Sequence, residues 1–452
     1  MLNAIVLAAG EGKRMKSRRP KVLQPIGGQP MLHHLMASLA ALEPEQIVVV
    51  TGSGAEQVEA SLAATGCCFV RQAERLGTGH AAMQALPMVP DDARVLILPG
   101  DMPLIRPETL ESLLASQADL ALLSFLADDP TGYGRILRDA EGRVLAIREQ
   151  RDASAEELSV NEVNSGVMCA RASDFARWLD QISDDNAQGE YYLTDCIAIA
   201  AGEGRRVDAV VAPQADELMG ANDRAQLAQL EAVFQNRARQ ALMAQGATLA
   251  DPARVIVRGR VDCGQDVFID ADVLLQGDIT LGDEVHIGQG CVLSHCSLAS
   301  GTQLAPYTVI ESASTTGPCS VGPFARLRPG TELAEGVKIG NFVEVKNAVF
   351  QVGAKVSHLS YVGDASVGAG ANLGAGTITC NYDGVNKHRT EIGANAFVGS
   401  NTALVAPVTI GEGATIGAGS VITQPAPPDA LTVSRARQRS LSGWKRPEKK
   451  TS

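Results

Sequence analysis

Four short stretches of the chain carry side chains with chemistry to offer. The first is "LAAGEGKRM", Leu7 to Met15, with "PKVL" following a few residues on. Gly10 and Gly12 let backbone N–H groups approach an anion, and Arg14 and Lys21 add mobile positive charge. Such groups suit a triphosphate, whose α-phosphorus gains charge during attack. Met15 stands where a dinucleotide fingerprint would carry its third glycine, which speaks against a Rossmann dinucleotide site. The plain alternative is a glycine turn flanked by solvated basic residues. The second stretch is "PGDMPL", in which Asp101 closely follows an apolar run. A carboxylate there is placed to hold Mg²⁺, which needs few protein ligands and takes the rest from phosphate and water. An Asp opening a turn is the competing account, and Pro103 favours a turn. The third is "SHLSY", where His358 supplies an imidazole, a group that titrates near neutral pH and serves as a general base. A lone His in a polar segment is more often simply solvated. The fourth, "CNYDGVNKH", gathers Asn, Tyr, Lys and His in one segment.

The elements that position these residues fall into three regions. Residues 1 to about 220 alternate strand-like runs with helix-like ones: "AIVLAAG", "PMLHHLMASLAAL", "QIVVVTG", "RVLILPGD", "DLALLSFLA". This alternation predicts a mostly parallel sheet with helices on both faces. Ligands of such sheets bind at the carboxyl ends of the strands, where "LAAGEGKR" and "PGDMP" both lie. Residues 223 to 245 contain no Pro or Gly, and Leu227, Leu230, Val233, Phe234, Ala238 and Ala241 recur at helical spacing. They predict one long amphipathic helix, with Asn222 or Asp223 as N-cap and Gly246 at its end.

Beyond "DPAR" the period becomes six. Ile269, Leu275, Leu281, Ile287 and Leu293 keep it; so do Val321, Leu327, Leu333, Ile339 and Val345, and Val398, Leu404, Ile410, Ile416 and Ile422. Short repeats of this kind predict a solenoid of parallel strands, a β-helix, with the aliphatic residues pointing inward. The register breaks near 313–318 and again near 379–389, and both breaks are expected to be loops.

Bulk numbers narrow the class. The 452 residues predict two or three domains. Aromatics make up only 4% while glycines number 45, which suits a narrow aliphatic coil. A net charge of -12 argues against nucleic-acid or anionic-membrane partners. A tail with Arg435, Arg437, Arg439, Lys445, Arg446, Lys449 and Lys450 is the exception. The nine cysteines show no C-x-x-C pattern, so reduced thiols and a cytoplasmic location are expected. The amino-terminal stretch lacks the pattern of a signal peptide, and no apolar run approaches the ~20 residues of a membrane span.

Further motifs add a resemblance. "QAERLGTGHA", "GYGRI", "NEVNSGV" and "GEYYLTD" join "LAAGEGKRM…PKVL" in the first region; "FARLRPG", "NFVEVKN", "SHLSYVGDASVG", "NLGAGTITCNYDG" and "FVGSNTALVAPVTIG" follow in the last. In order and spacing, from about residue 4 to 447, the chain resembles the bifunctional N-acetylglucosamine-1-phosphate uridylyltransferase and glucosamine-1-phosphate N-acetyltransferase family. The resemblance implies an α/β protein in three parts. Residues 1–222 would form a Rossmann-like nucleotide-diphospho-sugar transferase domain and 223–247 a long helical linker. Residues 248–452 would form a left-handed parallel β-helix of hexapeptide repeats that assembles a homotrimer.

By the same resemblance the first domain takes UTP and N-acetylglucosamine 1-phosphate. Leu7, Ala8, Ala9, Gly10, Lys21, Gln72, Gly77 and Thr78 would hold the nucleotide, and Gly134, Glu149 and Asn164 the sugar phosphate. Asp101 and Asn222 would ligate Mg²⁺, with Asn222 also near the UDP-sugar, while Arg14 and Lys21 stabilise charge on the reacting phosphates. The family often has Tyr before "GD", where this chain has Pro99, so any contact of that hydroxyl is absent. The last domain would acetylate glucosamine 1-phosphate from acetyl-CoA. His358 would be the base and Glu344 would orient or polarise it; Arg328, Lys346, Tyr361 and Asn372 would hold the acceptor. Ala375, Asn381, Tyr382, Ser400, Ala418 and Arg435 would serve acetyl-CoA, with the Ala375 backbone N–H facing the oxyanion. Two other readings stay open at this stage: a nucleotidyltransferase whose β-helix only trimerises it, and a sugar-nucleotide binder without activity.

Overall fold

The computed structural model describes residues 1–447 and Lys449; Lys450, the last basic residue of the tail, lies outside them. The chain divides into two compact units, Met1–Asn236 and a second that begins at Arg237.

The first unit is built on one sheet. Its main path joins β1 (Leu2–Ala8), β2 (Gln46–Thr51), β3 (Cys68–Arg71), β4 (Arg94–Pro99), β5 (Leu120–Leu126), β6 (Glu162–Arg171) and β7 (Val207–Val211) in the order β7-β5-β6-β4-β1-β2-β3. All neighbours are parallel except β6, which runs antiparallel to both β4 and β5. The apolar runs are continuous because both faces are covered. Successive side chains go to opposite faces, as strand geometry requires. Ile5, Val48 and Ile97 enter one core with Phe175 and Trp178, while Val6, Val49 and Leu98 enter another with Leu32 and Leu110.

The expected helix spans Arg224–Gln245. Asp223 caps it, its Oδ1 accepting from the Gln226 N–H at 2.9 Å. Leu230 is buried with Met15, Ile26 and Met31, and Leu227, Val233 and Phe234 pack beside it. The division between the units falls inside this helix, between Asn236 and Arg237. Ala238 and Leu242 therefore belong to the second unit's core.

The second unit is a parallel β-helix. Its strands stack in register, so that Ile269 pairs with Ile287, Leu275 with Leu293 and Val345 with Val362. Every residue of the three predicted six-residue series is buried, none more than 3% exposed. Burying such a side chain contributes about 1.5–3 kcal/mol, so the ladder is the main stabilising feature of the coil. The break expected at 313–318 is not a loop: Ala313–Thr315 is a strand of the stack, paired with Thr331–Leu333. Its polar residues are tolerated because buried Thr315 bonds with Thr302 and with the Ala299 N–H. The second break is a true insertion. Leu373 pairs with Val398, twenty-five positions on, where the flanking coils take seventeen or eighteen. All nine cysteines are free thiols. No helix among the described residues is long and apolar enough to cross a membrane.

Candidate active sites

Parallel pairing of β1 with β4 puts Leu7 opposite Pro99. The loops that follow, Gly10–Gly12 and Gly100–Asp101, therefore leave the sheet side by side. They open into a cleft of about 560 Å³ lined by Leu7, Ala9, Gly10, Lys21, Gln72, Gly77, Thr78 and Asp101. The Lys21 ammonium donates to Asp101 Oδ2 at 2.6 Å and to Asn222 Oδ1 at 3.1 Å. Three residues distant in the chain thus converge on one point. Gly12 admits Lys21: it has φ +63°, and a Cβ there would stand 2.7 Å from the Lys21 Cβ. Gly10 instead faces open space. Gln72 Nε2 donates to the Gly77 carbonyl at 3.0 Å, and Thr78 Oγ1 accepts from the Leu193 N–H at 3.1 Å. Two expected residues contribute no side chain to this lining. Ala8 is buried in the core beneath it, and Arg14 is exposed on the short turn Lys13–Met15.

Gly134, Glu149 and Asn164 form a second cluster in this unit. The Asn164 N–H donates to the Gly134 carbonyl at 2.8 Å. A Cβ on Gly134 would stand 3.3 Å from Glu149 Oε1, which accepts from Thr194 Oγ1 at 3.1 Å. Burial pushes the Glu149 carboxyl above the usual carboxylate range, and the Thr194 bond only partly offsets it. Burial also raises the Tyr133 phenol, and the charge of Asp101 adds to the effect. Tyr133 therefore lies within the field of the Lys21–Asp101 pair.

In the second unit the coil repeat stacks one corner into a column. Ile339, Val356, Leu373, Val398 and Ile416 are successive register partners, so Asn341, His358, Ala375, Ser400 and Ala418, each two residues on, succeed one another up the helix. Three expected coenzyme residues thus follow His358 in consecutive coils. Arg435 joins them, its Nη1 donating to the Ala418 carbonyl at 2.9 Å. His358 is exposed, and its Nδ1 lies 2.7 Å from Asn341 Oδ1. An amide oxygen only accepts, so Nδ1 carries the proton of the neutral ring and Nε2 is left as a base. The ring's partner is Asn341, not Glu344; Glu344 accepts from Arg328 Nη1 at 2.8 Å.

A polar cluster lies in the same unit. Tyr361 OH accepts from Asn381 Nδ2 at 3.4 Å, and Asn347 Nδ2 donates to Asp364 Oδ1 at 2.6 Å. Burial works against the Asp364 carboxylate, but hydrogen bonds from Asn347 and Asn381 hold it below its usual range. Lys387, on the inserted loop, is held below the usual ammonium range chiefly by Lys346 beside it. Two adjacent ammonium groups are a natural seat for a phosphate. Asn372 is half-buried one coil above Lys355, and Tyr382 is exposed on the loop with its OH donating to the Gly384 carbonyl. A Cβ on Gly363 would clash with Tyr361 OH and stand 2.8 Å from Asn381 Nδ2. Gly363→Ala is therefore expected to displace the Tyr361 phenol.

A model of the MobA-like NTP transferase domain matches residues 4–160, and one of the bacterial transferase hexapeptide (six repeats) matches residues 389–424. The bifunctional protein GlmU of Stenotrophomonas maltophilia (strain R551-3) is 55% identical over 451 residues, covering 100% of this chain and 99% of that protein. This chain belongs to the GlmU family. The GlmU proteins of Methylococcus capsulatus and Alkalilimnicola ehrlichii are 54% and 52% identical, each covering 99% of this chain and 97% or 96% of their own length. It carries an NTP transferase domain and transferase hexapeptide repeats on one polypeptide.

Several residues of these GlmU sites escape a reading of the sequence. Glu11, Lys13, Arg75 and Glu190 also line the cleft, and Asn341, Asp364 and Lys387 stand in the second unit beside expected residues. A signal for Asn341 was present: it follows Ile339 by the same two positions that separate His358 from Val356.

Proposed function

We propose that the second unit acetylates glucosamine 1-phosphate from acetyl-CoA and that the first unit then joins the product to UTP, releasing pyrophosphate. What supports this most is that each unit holds its own polar site: Lys21 on Asp101 and Asn222 in the first, His358 on Asn341 in the second.

In the second unit, Nε2 of neutral His358 takes a proton from the sugar amine as its nitrogen attacks the thioester carbonyl. The Ala375 N–H meets the oxyanion of the tetrahedral intermediate, whose collapse breaks the C–S bond and releases the coenzyme thiolate, to which His358 returns the proton. Arg328, Lys346 and Lys387 receive the sugar phosphate, with Tyr361 and Asn372 on the sugar. Ser400, Ala418 and Arg435 carry the coenzyme along the coils above His358, with Asn381 and Tyr382 beside it. Asn341 is a positioning residue and Glu344 holds Arg328.

In the first unit the sugar phosphate attacks the α-phosphorus in line, and the protein supplies position and charge. The backbone of Leu7 to Gly10, with Lys21, Gln72, Gly77 and Thr78, holds the nucleotide; Gly134, Glu149 and Asn164 hold the sugar phosphate. Lys21 and Arg14 offset charge on the phosphates. Asp101 and Asn222 present two hard oxygen donors converging on a point that a cation, the Lys21 ammonium, occupies. That donor set fits Mg²⁺, which takes one or two protein oxygens and completes its shell from phosphate and water. When bound, the ion supplies charge stabilisation to the polyphosphate. The hexapeptide repeats support assembly as a homotrimer, and nine free thiols support a cytoplasmic setting. Nothing in the reading calls for a nucleic acid or a membrane.

The reading is tested by assaying the two half-reactions separately on the purified chain; loss of either half in the parent would overturn it. The tail gives a further prediction. Arg435 is anchored on Ala418, and Arg437, Arg439, Lys445, Arg446 and Lys449 follow it; on this reading they would meet the coenzyme phosphates of a neighbouring subunit. Deleting the residues after Arg435 is expected to raise the acetyl-CoA KM about tenfold and to leave uridylyl transfer unchanged. An unchanged KM would remove the tail from the site.

A further inference from the structure

The cleft of the first unit contains an ion-pair cluster that the reaction described above does not use. Glu11, between the two glycines of the first loop, pairs with Arg75 at 2.5 Å and with Lys13 at 3.2 Å. All three line the cleft. Arg75 comes from the segment between β3 and the helix Thr78–Ala85, so the pair joins the loops that follow β1 and β3. Its partners are substantially exposed, the Arg75 side chain 49% and Glu11 39%. Exposed pairs of this kind are weakly held and readily give up a partner.

The chemistry of the cluster is peculiar for an anion site. A carboxylate stands in the loop whose backbone faces the expected phosphates, and it occupies two of the cations on that wall. A triphosphate offers more charge than one carboxylate, and a guanidinium can grip it through two parallel N–H···O bonds. We infer that Glu11 is an exchangeable counterion, from which the terminal phosphates of a nucleoside triphosphate take Arg75 and Lys13 on binding. The inference rests on the reading of this cleft as the nucleotide site. It assigns Arg75 a direct role in binding the triphosphate. It also gives Glu11 a cost: the carboxylate competes with the substrate for the same cations.

The sign of that cost provides the test. Titration calorimetry of the full chain with UTP and with UMP compares a ligand that reaches Arg75 with one that lacks the terminal phosphates. Arg75→Gln is expected to weaken UTP about tenfold and to leave UMP unchanged. Glu11→Gln is expected to tighten UTP about threefold, again sparing UMP, because it frees both cations. If the pair were only a strap between loops, Glu11→Gln would weaken both nucleotides or neither, and either result overturns the inference. Equal UTP affinity in the parent and in Arg75→Gln also overturns it while leaving the nucleotide reading intact. A parent chain that binds neither nucleotide overturns both.

Discussion

Replacing His358 by Ala is expected to lower acetyl transfer by about two to four orders of magnitude and to leave uridylyl transfer at the parental rate. The size follows from what the ring does. The attacking amine must lose a proton as the new bond forms, and in this column His358 is the group with a lone pair to take it. Its Nδ1 is committed to Asn341 Oδ1 at 2.7 Å, which fixes the tautomer and turns Nε2 outward. The stack itself is expected to be unaffected, because His358 is exposed and the ladder beneath it is carried by Val356. Asn341→Ala tests the positioning part. It should lower kcat of acetyl transfer by about tenfold without raising the acetyl-CoA KM, since it frees the ring and touches no expected coenzyme residue. Rate assays of both half-reactions on folded variants decide the matter. A His358→Ala chain that still acetylates at the parental rate assigns the base elsewhere. One that loses both activities while folded removes the two-site account.

The same column shows how far the sequence reaches. The period of six is legible because each coil must place an aliphatic residue in a narrow interior, and Ile339, Val356, Leu373, Val398 and Ile416 obey it. The strand ends bearing Gly10 and Asp101 are legible for a similar reason: a buried parallel strand is a continuous apolar run that stops where the backbone emerges. Partners across coils are harder to read. Asn341 meets His358 because one coil separates them, and only the spacing from Ile339, not the residue type, points to it. Lys387 is displaced further by the insertion, which breaks the repeat that would have aligned it with Lys346. The break at 313–318 misled for the opposite reason. Buried Thr315 and Thr302 bond one another, so polar residues fill a place in the coil that the aliphatic pattern assigns to a loop. Glu344 and Arg328 show a last limit: a carboxylate that the resemblance assigns to the histidine pairs instead with a cation from the preceding coil.

Asp101→Ala is expected to produce the reciprocal loss: uridylyl transfer should fall about a hundredfold or more, with acetyl transfer unchanged. Asp101 is the one carboxylate at the meeting point of Lys21 and Asn222, and only 13% of its side chain is exposed. Removing it leaves Lys21 bonded to Asn222 Oδ1 alone and deprives the site of its fixed negative charge. Two further substitutions separate the causes. Asp101→Asn keeps the oxygen and loses the charge, so a metal role predicts a loss close to that of Ala. Lys21→Met keeps the carboxylate and removes the ammonium that now occupies its lone pairs. Metal binding, followed with Mn²⁺ by electron paramagnetic resonance, is then expected to disappear in Asp101→Asn and to persist in Lys21→Met, although both variants lose uridylyl transfer. If Mn²⁺ binds Asp101→Asn as it binds the parent, Asp101 serves only to place Lys21, and the cation site lies elsewhere in the cleft. Gly220 extends the argument, because a Cβ there would stand 2.8 Å from Asp101 Oδ2. Gly220→Ala should therefore impair metal binding without removing any ligand, since it turns the carboxylate away from the point on which Lys21 and Asn222 converge.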